Sequence, residues 1–146
     1  MHIPGFDPTG SATREQIEGA ELLLGIRFPS LYHDFIARYG GADGDAEFPV
    51  PGTEYPASVG LWLSLSPWES QSLWSILESW SVHELPNEIV PFGLDGGGNL
   101  LCFDYRLSPN PKVAFWYHEL EGEDGLHLIS ETFEGFLGTL REPSDD

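Results

Sequence analysis

Hydrophobic side chains recur at helical spacing in four stretches of this 146-residue chain. Within each stretch they follow the spacing i, i+3, i+4, i+7 or a close variant, which places them on one face of an α-helix. The positions are Ile17, Ala20, Leu23 and Leu24; Tyr32, Phe35, Ile36 and Tyr39; Leu73, Ile76, Leu77 and Trp80; and Phe133, Phe136, Leu137 and Leu140. The pattern predicts four amphipathic helices, each needing another layer to cover its apolar face.

Polar residues mark where these helices are expected to begin. Thr13 and Gln16 have the spacing of a capping box, which predicts the start of the first helix. Ser66 and Glu69 have the same spacing, with Pro67 at the first helical position, so the third helix is predicted to begin there. The fourth helix is expected to begin near Ser130.

Apolar runs between the helices predict strands. Alternation at positions 59, 61, 63 and 65 indicates a half-buried strand, and short runs indicate others at residues 89–92, 100–105, 113–117 and 126–129. Pro91 lacks an amide donor, so its strand is expected at a sheet edge or at a bulge. The element order predicts a single-domain α+β fold with a mostly antiparallel central sheet and helices packed against it.

The ends of the chain differ from this pattern. Residues 1–12 are rich in proline and glycine and are expected to form an irregular lead-in. Residues 13–141 are then the folded domain, and residues 142–146 a frayed acidic tail.

The net charge of the chain narrows the range of binding partners that can be expected. The chain has 24 Asp and Glu against 6 Lys and Arg, a formal net charge of −18. Nucleic acids and anionic membranes attract lysine and arginine, so neither is an expected partner, whereas a basic protein is. No apolar run approaches the ~20 residues that span a bilayer, and no basic leader is present, so a cytoplasmic location is expected.

Two acidic segments contain the candidate binding carboxylates. Asp43, Asp45, Glu47 and Glu54 match the acidic positions of a calcium loop, but Phe48 replaces the required glycine. We therefore expect a solvated acidic loop that holds no metal. The second segment contains Glu119, Glu121, Glu123 and Asp124, and is flanked by His118 and His127.

Enzyme chemistry has little support in these residues. A metal-dependent enzyme built on these acids and histidines is the weakest alternative, because the two histidines are nine residues apart with glycines between them. The lone Cys102 lies in an apolar run and is expected to pack in the core. Gly96, Gly97 and Gly98 lack the lysine of a phosphate loop. We expect no catalytic residue, cofactor or metal.

Tryptophans leave two interpretations open. Trp62 falls on the strand face opposite Leu61 and Leu63, and Trp68 and Trp74 lie partly off the stripe of the third helix. Exposed aromatic side chains dominate many protein-binding surfaces, so Trp62 and Trp68 are candidate anchors. A second core layer would bury them instead.

The chain resembles the SUKH superfamily, which includes yeast cell-wall regulators and many bacterial immunity proteins. The resemblance rests on residues 17–29 (IEGAELLLGIRFP), on residues 91–104 (PFGLDGGGNLLCFD), and on the aromatic residues of the last strand and helix. It covers residues from about Thr13 to Leu140, and the glycine-rich block is its most specific part. It implies an α+β domain without catalytic residues.

The resemblance and the charge lead to one functional hypothesis. Bacterial members of the superfamily neutralise polymorphic or contact-dependent toxins, often nucleases, without catalysis. We therefore expect an immunity protein, a monomer or weak homodimer, that blocks a basic toxin domain. The candidate partner-binding residues are Asp43, Asp45, Glu47, Glu54, Trp62, Trp68, Glu119, Glu121, Glu123 and Asp124. The alternative is a regulatory protein-binding scaffold of the eukaryotic kind.

Overall fold

The computed structural model describes residues 1–10, 12–80, 85–120 and 122–143. Its helices are α1 (Arg14–Leu24), α2 (Ser30–Tyr39), α3 (Leu73–Trp80) and α4 (Phe133–Leu137). Its strands are β1 (Asp43–Phe48), β2 (Ala57–Trp62), β3 (Ile89–Leu94), β4 (Leu100–Asp104), β5 (Lys112–Trp116) and β6 (Leu126–Ser130). Two short 3-10 segments, His118–Leu120 and Gly122–Gly125, lie between β5 and β6.

The six strands form one sheet in the order β1-β2-β3-β4-β5-β6, and every neighbouring pair is antiparallel. The predicted α+β fold with an antiparallel central sheet is therefore confirmed. Successive strands of such a meander reverse direction, so its connections alternate between the two ends of the sheet. The β1–β2, β3–β4 and β5–β6 connections share one end, and the β2–β3 and β4–β5 connections share the other.

Both faces of the sheet are buried at its centre, in β4 and β5. Because side chains alternate along a strand, Leu101 and Phe103 of β4 enter the main core, which also contains residues of α1, α2 and α4. Leu100 and Cys102 enter a second cluster on the opposite face, which Ile76 of α3 helps to cover. This double burial explains why β4 and β5 are continuous apolar runs rather than alternating ones.

Aromatic rings fill the centre of the main core. Tyr32 of α2 packs edge-on against Phe103 and Phe133, with ring centroids 5.1 and 5.6 Å apart. Phe92 of β3 stacks on Phe103 at 4.4 Å. Such pairs contribute about 0.5–1.5 kcal/mol each beyond the area that they bury. They fix α2 and α4 against the sheet.

One predicted position of the α1 stripe lies outside the core. Ile17 and Ala20 are buried and Leu24 packs against the core, but Leu23 is 76% exposed. At about 100° per residue, Leu23 lies about 120° around the helix from Ile17, at the margin of the buried stripe. It therefore faces solvent.

The first acidic segment is not the expected loop. Asp43–Phe48 is the edge strand β1, in which Ala46 and Phe48 are buried while Asp43 and Asp45 are exposed. A strand with one buried face needs only a few apolar residues, so its acidic positions conceal the pattern. The extended backbone also rules out the calcium-loop geometry.

The N-terminal lead-in packs on this strand. Phe6 forms a bridge with Gly44, and the Asp45 amide donates to the Gly5 carbonyl at 3.2 Å. Ile3 and Phe6 are buried in the main core. The lead-in is irregular in backbone conformation but belongs to the packed structure.

Pro91 lies in a central strand at a bulge, which is one of the two places expected for its strand. The register with β4 shifts between Pro91, which faces Cys102, and Gly93, which faces Leu101. The extra residue is Phe92, and the ladder is disrupted beside it, so the neighbouring Pro91 is tolerated without an amide hydrogen.

The third helix begins later than predicted, at Leu73 rather than near Ser66. Its capping box consists of two serines: the Ser75 amide donates to the Ser72 hydroxyl at 3.2 Å, and the Ser72 amide donates to the Ser75 hydroxyl at 3.1 Å. The Ser66 hydroxyl accepts a long 3.4 Å bond from the Trp68 amide, and the Ser66 carbonyl accepts from the Glu69 amide at 3.3 Å, both within a turn. The serine at position 75 replaces the glutamate or glutamine that the usual pattern requires.

We expect Ser72→Ala to lower the free energy of unfolding by about 1–2 kcal/mol, because the cap is lost and buried polar groups lose a partner. Ser66→Ala, the control, should change it by less than about 0.5 kcal/mol. Urea unfolding of the three proteins measures both. Equal losses in the two variants would contradict the assignment of the cap to Ser72.

Candidate functional site

Three connections meet at one end of the sheet: residues 49–56, 95–99 and 117–125. A depression of about 420 Å³ lies where they adjoin, and its lining includes residues from all three. Among them are Thr53, Tyr55, Asp95, Asn99 and Tyr117. We call this surface the acidic end.

The charge at the acidic end has a single sign. The three segments contain six acidic residues and no lysine or arginine: Glu54, Asp95, Glu119, Glu121, Glu123 and Asp124. Two basic residues lie at the opposite end, where Arg106 pairs with Asp104 at 2.8 Å and Lys112 pairs with Glu131 at 3.4 Å, and Arg141 is paired with Glu47 of β1 at 2.9 Å. The acidic end therefore presents a negative field that no lysine or arginine of its own segments reduces.

Hydrogen bonds fix the glycine-rich turn at the centre of this surface. The Asp95 carboxylate accepts from the Gly97 amide at 2.9 Å, the Asn99 amide at 2.7 Å and the Asn99 side chain at 3.0 Å. Gly98 has φ +91°, a conformation that residues with a side chain rarely adopt. Asp95 and Asn99 therefore hold the turn through side-chain hydrogen bonds, as Asp and Asn often do in turns.

The same asparagine links two connections. Its side-chain oxygen accepts from the His118 amide at 3.2 Å and lies 2.9 Å from Nδ1 of the His118 ring. Since the oxygen is an acceptor, Nδ1 carries the hydrogen. The Asp95–Asn99–His118 chain therefore holds the start of the β5–β6 connection against the β3–β4 turn.

Replacing Asn99 with alanine should loosen this link. Asn99→Ala removes one donor and one acceptor from partly buried bonds, so we expect a loss of about 1–3 kcal/mol in the free energy of unfolding. Asn110→Ala, in an exposed turn at the opposite end, is the matched control. Urea unfolding gives the loss, and amide exchange at residues 117–119 should accelerate only in Asn99→Ala. Unchanged exchange there would contradict the role of Asn99 as the link.

Two tyrosines at the acidic end were missed in the sequence. Tyr55 is 79% exposed, and Tyr117 is half-buried, with its ring edge-on to Phe115 at 5.0 Å and to His127 at 4.8 Å. Burial, and after it the negative charge of Asp95, raise the pKa of Tyr117, so its hydroxyl stays protonated. The signal that could have revealed them is position, because both lie in connections that a meander brings to one end.

The structure brings together part of the predicted binding set. Glu54, Glu119 and Asp124 are exposed and share the acidic end. Glu121 lies outside the described residues, as does the side chain of Glu123. The first predicted loop is therefore divided, since only its Glu54 belongs with the second segment.

The remaining acids of the first group lie on β1, at the other edge of the sheet from β6. Five strand spacings of about 4.8 Å put the two edges about 24 Å apart. Asp43 and Asp45 are exposed, but Glu47 has only 12% of its side chain exposed and pairs with Arg141 at 2.9 Å. Glu47 holds the C-terminal segment against β1 and is not a free carboxylate.

The two candidate tryptophan anchors have opposite environments. Trp62 is fully buried in the main core, so its proposed place on a binding surface is corrected. Trp68 is 92% exposed, but it lies in the β2–β3 connection at the end opposite the acidic residues. Trp74 is half-buried, and its indole nitrogen donates to the Leu65 carbonyl at 2.9 Å.

The part of the chain that is described contains no assembled site for a metal ion or for a reactive thiol. There, no group of three or more His, Cys, Asp or Glu side chains is placed to hold a metal ion. Cys102 is buried, as expected, and burial raises the pKa of its thiol. No described helix is both long and apolar enough to cross a membrane.

A separate groove of about 910 Å³ lies between the α1–α2 turn, α3 and β3. Its apolar lining includes Leu24, Ile26, Leu77 and Ile89. The Tyr105 hydroxyl at its wall already donates to the Arg27 carbonyl at 2.7 Å. The groove adjoins Leu85, the first described residue after the gap at 81–84, and it does not share the charge of the acidic end.

Comparison with known proteins agrees with this fold. One curated protein similar to this chain is the SPbeta prophage-derived uncharacterized protein YokK of Bacillus subtilis (strain 168). It is 29% identical in an alignment of 146 positions that covers 88% of this chain and 74% of the relative. The model of the SMI1 / KNR4 family (SUKH-1) matches residues 11–139, which include every helix and strand described above. The chain therefore belongs to the SMI1 / KNR4 family (SUKH-1).

Proposed function

We propose that this protein is a cytoplasmic immunity protein that binds a basic toxin domain and neutralises it without catalysis. The observation that carries the proposal is the acidic end, where residues of three connections line one depression and the sequence of those connections has six acids and no lysine or arginine. Family membership and a relative of prophage origin support the immunity role.

The chemistry of the surface favours a nuclease or another toxin that acts on nucleic acid. Such an enzyme presents lysine and arginine to phosphate, and those side chains are complementary to Glu54, Glu119 and Asp124. Occupying the same cleft blocks the substrate, so inhibition requires no reaction by this protein.

In this proposal the negative field accelerates association with the toxin domain, and the aromatic side chains contribute to the affinity of the complex. Opposite charges steer association to about 10⁸–10⁹ M⁻¹s⁻¹ at low salt, which suits an inhibitor that must act before damage begins. Tyr55 and Tyr117 replace Trp62 as the proposed anchors, because they lie in the depression and keep a hydroxyl donor. Trp68 is expected to be dispensable for this contact.

The test is capture of the partner at about 50 mM salt, where screening is weak. Tagged protein incubated with lysate of its own organism should recover one basic protein in near-equal amount, and high salt should release it. The recovered protein's toxic domain, expressed alone, should stop growth, and co-expression of this protein should restore it. Recovery of several unrelated proteins, or restored growth with an unrelated acidic protein, would contradict the proposal.

A further inference from the structure

The two edges of the sheet differ in what covers them. On β1, the Glu47 amide donates to the Arg141 carbonyl at 2.8 Å, and the Arg141 amide donates back to Glu47 at 3.0 Å. The bridge between Phe6 and Gly44 covers the start of the same strand. Among the residues that the structure describes, β6 pairs with β5 alone. Edge strands in soluble proteins are usually protected, so the uncovered one is a candidate for pairing with a partner.

The ladder shows which backbone groups of β6 face outward. The Tyr117 amide donates to the Gly125 carbonyl at 2.9 Å, which makes these two residues a hydrogen-bonded pair. Pairs alternate along antiparallel strands, and the register places Leu126 and Leu128 in the pairs that exchange no bonds. Their amides and carbonyls therefore point away from β5, and no other hydrogen bond within the described ranges reaches them.

The length of the free edge is limited. The register with β5 shifts after Leu128, which restricts regular pairing to the first part of the strand. Leu128 itself is 47% exposed, so it adds an apolar contact at the centre of this stretch. A partner strand of a few residues would satisfy the outward groups.

Charge identifies the kind of strand that fits. Residues 117–131 contain no lysine or arginine and five acidic residues, of which the last pairs with Lys112 of β5 at 3.4 Å: Glu119, Glu121, Glu123, Asp124 and Glu131. A second copy of this chain would bring the same acids together, and each copy has a net charge of −18. β6 itself has no acidic residue, so these acids flank the strand, and their negative field repels a second copy and attracts lysine or arginine on an added strand.

We propose that β6 binds its partner by accepting a basic β-strand along the open edge at Leu126 and Leu128. The inference rests on the proposed function for the identity of the partner, a basic toxin domain. The backbone hydrogen bonds set the register of the added strand, and the carboxylates near β6 favour positively charged side chains on that strand. The acidic end and the β6 edge then form one continuous binding surface, because the β5–β6 connection belongs to both.

The experiment uses a capped peptide of about seven residues with alternating lysine and valine, long enough for one strand. Nuclear magnetic resonance of the full chain at about 50 mM salt follows every amide. We expect saturable shifts centred on Leu126 and Leu128, with exchange of these two amides slowed at least tenfold. The same peptide with N-methyl groups on alternate residues, and a glutamate–valine peptide, should not produce them.

Two variants separate the backbone from the side chain. Leu128→Pro removes an outward amide without removing a bond to β5, and should weaken peptide binding at least tenfold. Leu128→Ala retains the amide and should weaken it by less than about threefold, since only apolar contact is lost. The exchange measurement on the unmodified chain stands even if Leu128→Pro is poorly folded.

The outcomes are distinct from those of the capture experiment. Shifts spread over the acidic end and equal for the N-methylated peptide would show attraction without strand pairing and overturn the inference. Protection of Leu126 and Leu128 that grows with protein concentration alone would assign the edge to a second copy and also overturn it. A captured toxin with no protection at β6 would leave the proposed function standing and remove this mode of binding.

Discussion

Trp62→Ala is expected to lower the free energy of unfolding by about 3–5 kcal/mol, the usual loss for a large aromatic residue deleted from a packed core. Trp62 is fully buried, and its ring lies 5.0 Å from that of Phe35 and 5.1 Å from that of Phe6. It also stacks on Phe92 at 6.2 Å and meets Phe136 at 6.4 Å. Deletion would leave a cavity between the sheet and three other elements.

Two further variants make this prediction specific. Nε1 of Trp62 is buried without a hydrogen-bond partner in the described structure, so Trp62→Phe removes an unsatisfied donor and should cost less than half as much as alanine. Trp68→Ala removes an exposed ring and should change stability by less than about 0.5 kcal/mol. Guanidinium unfolding of the three variants gives the values. Similar losses for Trp62→Ala and Trp68→Ala would contradict the core assignment.

Reversing three charges at the acidic end should slow association with the captured basic domain by about 10–100-fold at low salt. The variant combines Glu54→Lys, Glu119→Lys and Asp124→Lys, all at exposed positions of one surface. Because steering depends on the local field, the dependence of the association rate on salt should also become shallower. Stopped-flow kinetics at several salt concentrations measure both effects.

A matched control separates local field from total charge. Asp34→Lys, Glu69→Lys and Glu142→Lys change the net charge equally, but these exposed residues lie outside the three connections. The control should slow association by less than about threefold, since charges beyond the Debye length are screened. Equal slowing in both triple variants would reject the acidic end as the contact surface and leave only a general effect of net charge.

Helices were the elements that the sequence predicted best. Their spacing reports one buried face directly, and the capping box at Thr13 is present with both of its bonds, 3.2 and 3.0 Å long. The start of α3 was misplaced because Ser66 and Glu69 satisfy the pattern equally well in sequence. Only the contact between Ser72 and Ser75 decides where the backbone becomes helical.

Strand β1 shows why some strands cannot be recognised from the sequence pattern. Its acids suit solvent on one face, and only Ala46 and Phe48 are buried among its residues. The bonds that hold its outer edge come from Gly5 and Arg141, which are far away in the chain. No local pattern contains that information, so the segment was interpreted as a loop.

Some properties of the candidate site were also determined by the sequence, and others were not. The sequence alone determined the composition of the partner surface, because 24 acids against 6 basic residues require a negative field wherever they lie. It also determined the family, through motifs that fix helix faces and the glycine-rich turn. The family motifs depend on residues close together in the chain, and the negative field depends on the total numbers of acidic and basic residues.

Tertiary structure alone decided which acids act together. Strand pairing brings Glu54 to the end that holds Glu119 and Asp124, while it leaves Asp43 and Asp45 on the opposite edge. It also decided that Trp62 faces the core while Trp68 faces solvent. The physical reason is that sheet order and register depend on contacts between distant segments, whereas charge and periodicity are properties of each segment by itself.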